Sequence, residues 1–215
     1  MIKFEKVSKR YSGGVEVFNQ LDFSLGRGEM AFLTGPSGSG KSTFLKLIAK
    51  LEQPSSGQIW VNGQSLNQLT SSNQVAFHRR NIGLTFQNPS LLFDRTVFNN
   101  VALPLWIQGE SLSTITKRVH AALDLVNLLD KQHILPIHLS CGEQQRVGLA
   151  RSIVHKPPLL LADEPTGNLD PCLSQDMMKL FEQFNQVGVS VLVATHDLAL
   201  IAGLKHKIVV LKGAR

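Results

Sequence analysis

Cysteine is almost absent: the 215 residues hold only Cys141 and Cys172, too few for a disulfide framework and in keeping with a reducing compartment. Long apolar runs are missing too. No stretch approaches the roughly 18–20 consecutive apolar residues of a membrane-spanning helix. The first residues, Met1-Ile2-Lys3-Phe4-Glu5-Lys6, contain no hydrophobic signal region, so export is not expected. Charged residues are sparse, 18% against 43% hydrophobic, which describes a folded globular chain and excludes a disordered one. The net charge of +6 comes from scattered basic residues: a solvated surface, or anionic nucleotide or lipid headgroups nearby. Tyrosine occurs once, at Tyr11. Internal repeats and low-complexity segments are absent. The length suits one domain, 1–215, and with the last strand close to the end of the chain no accessory domain is expected.

What is present alternates between strands and helices. Residues 2–7 and 17–25 alternate apolar and polar positions around the turn Ser12-Gly13-Gly14, which predicts an antiparallel pair. Residues 29–34 read as a buried strand and 43–49 as a helix. Pro54-Ser55-Ser56-Gly57 breaks the pattern before a strand at 58–63 that ends in an Asn-Gly turn, and another short strand covers 82–86. From about 88 to 155 the texture is helical. Ile115, Val119, Ala122, Leu123 and Val126 share one helical face within 115–129. Ser140-x-x-Glu143 is a capping-box pattern opening a helix that Pro157-Pro158 ends. Leu159 to Asp163 is an apolar run finishing in acid, and Asp170-Pro171 starts a helix with Leu173, Met177, Leu180, Phe181 and Phe184 on its core face. A β-branched strand over 189–195, a short helix opened by His196-Asp197 and a strand over 207–211 close the chain. The expected class is α/β with a mainly parallel sheet, an antiparallel β part and a helical part.

The chemistry is organised by Gly35-Pro36-Ser37-Gly38-Ser39-Gly40-Lys41-Ser42, which fits G-x-x-x-x-G-K-[ST] between a strand and a helix. Unpaired N–H groups and the helix dipole at that junction favour an anion. Gly38 and Gly40 let the chain curl round phosphates. Lys41 then reaches the β- and γ-phosphates, and the Ser42 hydroxyl reaches Mg²⁺. Asp163 fits the carboxylate that holds Mg²⁺ through its waters. Glu164, at the same strand end, is placed to take a proton from an attacking water.

Leu139-Ser140-Cys141-Gly142-Glu143-Gln144-Gln145-Arg146 resembles the signature of the ATP-binding cassette (ABC) ATPases, L-S-G-G-Q or a close variant. Cys141 stands where a glycine is usual, which puts close packing of the dimer in doubt. The resemblance implies that two copies pair head to tail around two ATP molecules. Ser140, Gly142 and Glu143 of one copy then face the γ-phosphate on the other copy's loop, which is formed by 35–42 with Thr43. It also implies that Tyr11 stacks on adenine, although the same residue reads equally as a lid on the core. Gln87 becomes the residue that touches Mg²⁺ and the attacking water, and Asp170 in Asn168-Leu169-Asp170 lies at the dimer interface or is a plain helix cap. His196 becomes the histidine that contacts the γ-phosphate. Catalysis would rest on Glu164, His196, Gln87 and Lys41.

Residues 30–35, 94–105 and 184–189 resemble the bacterial cell-division branch of that family. The stretch 161–170 is shared with the lipoprotein-releasing and macrolide-export branches. The branch implies a separate transmembrane subunit and possible further division proteins, with the chain peripheral on the cytoplasmic face of the inner membrane. No nucleic acid is expected. Export or lipoprotein release is the alternative role for the same engine; a nucleotide-gated scaffold that scarcely hydrolyses ATP is the alternative of another class. Residues 88–108, with Leu91, Leu92, Phe93 and Trp106, read as a docking surface or as core of the helical part.

Overall fold

The structure, a computed structural model, describes residues 1–212; the last three positions of the expected 1–215 span lie outside the described residues. Two sheets form. β1 (Ile2–Arg10) pairs antiparallel with β2 (Glu16–Leu25) and with β4 (Ser56–Val61), and β4 turns back into β5 (Gln64–Ser65). Asn62 and Gly63 in that turn both have positive φ, 52° and 80°, the mirror-image turn whose twist matches a hairpin. The second sheet is wholly parallel, in the order β6 (Ile82–Phe86), β7 (Leu159–Asp163), β8 (Ser190–Ala194), β3 (Met30–Thr34), β9 (Lys207–Val210).

The central strands are apolar apart from Thr34, Asp163 and Ser190 at their ends because both of their faces are covered. Met30, Phe32, Leu160, Ala162, Val191 and Val193 point to one side. There they meet α3 (Val97–Ile107), α4 (Leu112–Leu125), α5 (Cys141–Ile153) and α6 (Pro171–Gln186). Ala31, Leu33, Leu159, Leu161, Leu192 and Ala194 point to the other side, onto α1 (Lys41–Ile48) and the antiparallel sheet. Phe44 of α1 is the centre of that second core. It stacks on Phe4 at 4.4 Å and meets Phe18 and Phe23 edge-on.

Register decides where function can sit. Phe86 pairs with Asp163, Asp163 with Ala194, and Ala194 with Leu33. The chain therefore leaves β6, β7, β8 and β3 at one level, on the carboxyl edge where parallel sheets bind ligands.

Several elements differ from expectation. α2 (Ser72–Arg79) was not expected; it is opened by a full capping box between Ser71 and Gln74. It is short and mostly polar, and its value lies in a long-range contact. His78 Nε2 lies 2.8 Å from the Ile48 carbonyl, while Arg79 donates to the carbonyls of Ala49 and Lys50, so α2 caps the end of α1. The helical texture from 88 begins only at Val97, because a buried Asn100 side chain bonds Leu92, Arg95 and Thr96 and holds the preceding loop. The helix expected over 115–129 ends at Leu125 with Val126 as its cap. α5 ends at Ile153, ahead of the prolines. Of the residues read as docking surface or as core, Leu91 is buried in the core. Leu92, Phe93 and Trp106 are exposed, as is Ile107.

Candidate functional site

The loop after β3 closes on the N-terminus of α1, where Gly40 adopts a left-handed conformation (φ 93°) and no side chain caps the helix. A Cβ at Gly40 would strike Val17 and the Phe18 ring, so both the backbone angle and the space demand glycine. Uncapped N–H groups thus face a cleft of 730 Å³ lined by Pro36, Ser37, Gly38, Ser39, Gly40, Lys41, Ser42 and Thr43, together with Val17, Gln87, Glu164 and His196. The 36–43 loop, Gln87, Glu164 and His196 converge there from the level ends of β3, β6, β7 and β8, and Val17 joins them from β2.

Lys41 is 8% exposed, and its ammonium donates to the Gly35 carbonyl at 2.9 Å and the Pro36 carbonyl at 3.4 Å. Glu164 sits opposite. One of its oxygens is 3.4 Å from Lys41 Nζ; the other is 2.9 Å from His196 Nδ1 and accepts from the His196 backbone N–H. Glu164 has φ 48° and its own N–H donates to the Ala194 carbonyl. A non-glycine residue held left-handed at a functional edge is strain that the surrounding sheet must sustain. The carboxylate therefore bridges the loop lysine and the histidine.

Asp163 is half-buried beside it. Burial pushes its carboxyl above the usual aspartate range, against the opposing pull of the Ser42 hydroxyl. Its buried Oδ1 lacks a hydrogen-bond partner among the described residues. An unpaired buried carboxylate oxygen is costly, and a cation between Asp163 and Ser42 is the partner its chemistry fits. The Ser39 hydroxyl, 1% exposed, is likewise unpaired.

Gln87 follows β6 and reaches Asn168 Oδ1 at 3.4 Å. Three residues that the sequence reading missed hold its loop onto α5. Gln145 donates to the Gln87 carbonyl, Arg151 donates to the carbonyls of Pro89 and Ser90, and Gly148 lies so close that a Cβ would come within 2.6 Å of Pro89. Their i, i+3, i+6 spacing puts them on one helix face, a signal visible in the sequence only once the loop is known to lie there.

The 139–146 segment opens α5. Ser140 accepts from the Glu143 N–H, and the Glu143 carboxylate accepts from the Ser140 N–H at 2.9 Å, completing the capping box. Lys131 pairs with the other Glu143 oxygen and lowers the pKa of that carboxyl, with the Ser140 bond adding to the effect. Gly142 is buried against Leu173 of α6, whose cap Asp170 accepts from Cys172 and Leu173 N–H. None of Ser140, Gly142, Glu143 or Asp170 lines the phosphate cleft of its own chain. Tyr11 lies beside the cleft, its hydroxyl 3.2 Å from Thr43 Oγ1.

A glycine-rich loop on a helix N-terminus, a half-buried aspartate and a glutamate–histidine pair at one sheet edge define a nucleotide-binding α/β protein of the P-loop class. A family profile described as ABC transporter matches residues 18–167. The cell division ATP-binding protein FtsE of Escherichia coli strain K12 is 56% identical over 211 residues, covering 98% of this chain and 95% of that protein. FtsE of Bacillus subtilis is 44% identical over 212 residues, covering 99% and 92%. Among solved structures, the post-hydrolysis dimer of the cassette MJ0796 bound to ADP and Pi superposes with a TM-score of 0.89 at 33% identity, covering 99% and 94%. CbiO1 of Clostridium perfringens does so with 0.90 at 29%, covering 98% and 84%. The chain belongs to the ABC transporter family; it binds and hydrolyses ATP, and it resembles FtsE over nearly its whole length.

Proposed function

We propose that the chain is the ATP-hydrolysing subunit of a cell-division membrane complex, working as a head-to-tail homodimer on an FtsX-like transmembrane subunit. The whole span is read as one ATP-binding domain, with 88–155 as its helical part. Peripheral attachment at the cytoplasmic face of the inner membrane accords with there being no helix among the described residues long and apolar enough to cross a membrane. The output is a mechanical signal to cell-wall hydrolases, not a transported solute, with further division proteins as partners.

The observation that carries the reading is the Lys41–Glu164–His196 arrangement at the mouth of the glycine-rich cleft. ATP phosphates lie against the N–H groups of 37–43, and Lys41 turns from Glu164 toward them. Glu164 takes a proton from the water that attacks the γ-phosphorus, while His196 keeps the carboxylate aimed and contacts the same phosphate. Gln87 orients that water. Ser42, Asp163 and Gln87 would hold Mg²⁺, which when bound neutralises phosphate charge. Tyr11 carries the adenine. Ser140 and Gly142 of the second copy close over the phosphates, so binding joins the copies and hydrolysis releases them. Asp170 sits at that interface, and Glu143 acts through the capping box that shapes the helix end.

Native membranes holding the Glu164→Gln protein and ATP test the role. Co-purification of an FtsX-like subunit with division proteins is the expected result. Recovery of a lipoprotein-releasing or exporter subunit instead overturns the cell-division assignment and leaves the ATPase chemistry standing.

A further inference from the structure

Lys9 is a charged residue in an unusual position. It lies near the end of β1, only 8% exposed, and its ammonium is fixed by the Glu52 carboxylate and the Gln53 carbonyl, both at 2.9 Å. It stands 4.5 Å from the centroid of the Tyr11 ring, within the range of a cation–π contact. Burying a lysine costs free energy unless it is fully paired, and none of its contacts belongs to the phosphate chemistry.

The partners of this small cluster lie in α1 or in the segment that follows it. Glu52 and Leu51 donate their N–H groups to the Lys46 carbonyl, which fixes Glu52 and Gln53 to the last turn of the helix. The Tyr11 hydroxyl meets Thr43 in the first turn. The ring is thus referenced to both ends of the helix whose N-terminus faces the phosphate cleft. Tyr11 keeps 37% of its surface exposed, and with the ammonium against one face a flat ligand would have to take the other.

We propose that Lys9 is a positioning residue for the nucleotide base: it fixes the Tyr11 ring as a pre-formed platform at a set distance from the phosphate-binding loop. The proposal rests on the reading of Tyr11 as the adenine platform. A ring held before the ligand arrives loses less rotamer freedom on binding. The cation contributes only through the ring, so the contribution exists for nucleotides and not for bare phosphates.

The test uses ADP, which is not turned over, and inorganic pyrophosphate, read by displacement, on the full chain. Lys9→Met is expected to weaken ADP about two- to twelvefold, the span for ordering one side chain on binding, and to leave pyrophosphate unchanged. Lys9→Arg, which keeps the cation, retains most of the ADP affinity. In a Tyr11→Ala background Lys9→Met causes no further loss. Lys9→Met/Glu52→Gln removes the charge without leaving an unpaired carboxylate and gives the same result if Lys9→Met alone folds poorly. Equal weakening of ADP and pyrophosphate, or a loss that persists without Tyr11, overturns the proposal. An effect of Tyr11→Ala with none from Lys9→Met overturns it while sparing the platform reading. If Tyr11→Ala leaves ADP affinity unchanged, the platform reading itself is wrong.

Discussion

Lys41 cannot serve phosphates while it serves Glu164. The two side chains are 8% and 15% exposed with 3.4 Å between their charges, so solvent screens the pair little. Nucleotide binding must exchange this contact for one with phosphate. A close ion pair in such surroundings is worth about 2 kcal/mol, near the low end of measured couplings between close charge pairs, and the Gly35 and Pro36 carbonyls that also hold Lys41 remain in either state. Glu164→Gln removes the competing charge and leaves a neutral amide of the same shape. Allowing half of that contact energy to be kept by the amide, ADP affinity should rise by about 1 kcal/mol, roughly fivefold. ADP separates this effect from slowed turnover, because it has no γ-phosphate to lose. Calorimetric titration of ADP into parent and Glu164→Gln protein measures it. Unchanged or weaker ADP binding in the variant refutes the idea that Glu164 restrains Lys41 before nucleotide arrives.

Three further outcomes follow from packing, capping and charge. Gly148→Val drives a side chain into Pro89, 2.6 Å from its Cβ position; it should cost about 1–3 kcal/mol of stability by overpacking and lower kcat more than KM as the Gln87 loop shifts, both read by thermal melting and steady-state kinetics. Ser140→Ala deletes the oxygen that accepts from Glu143 N–H, costing about 1 kcal/mol of stability in a melt, and it should weaken ATP-driven dimer formation in light scattering. Burial raises the Asp163 pKa, so the folded chain binds that proton more tightly than the unfolded one. Its stability contribution therefore falls as pH rises from the unfolded value near 3.8 through the raised value. Without divalent cation, Asp163→Asn should melt above the parent at pH 7, the difference shrinking toward pH 4, and should lose ATPase activity.

The strands were legible because a strand covered on both faces has no polar position to disguise it, as in Leu159 to Ala162 or Val191 to Ala194. The site was legible for a related reason. Lys41, Gln87, Glu164 and His196 each stand just beyond such a run, and parallel register brings run ends together. What escaped were contacts made to backbone at long range. Arg79 reaches carbonyls some thirty positions away, while Gln145 and Arg151 reach about sixty; carbonyls leave no mark on composition or periodicity. α2 was missed on that account, since only His78 in it is buried. The sequence left Leu91 open between surface and core because the fold of its loop depends on Asn100, whose amide looks like any surface asparagine until its four bonds are seen.

The central claim is that Glu164 is the base for ATP hydrolysis. Phosphate release from Glu164→Gln in a single turnover with excess protein, magnesium and ATP tests it most directly. The account predicts a rate lower by at least about 10²-fold, the contribution of a positioned base, from protein that still folds and binds ATP. A rate equal to that of the parent contradicts it.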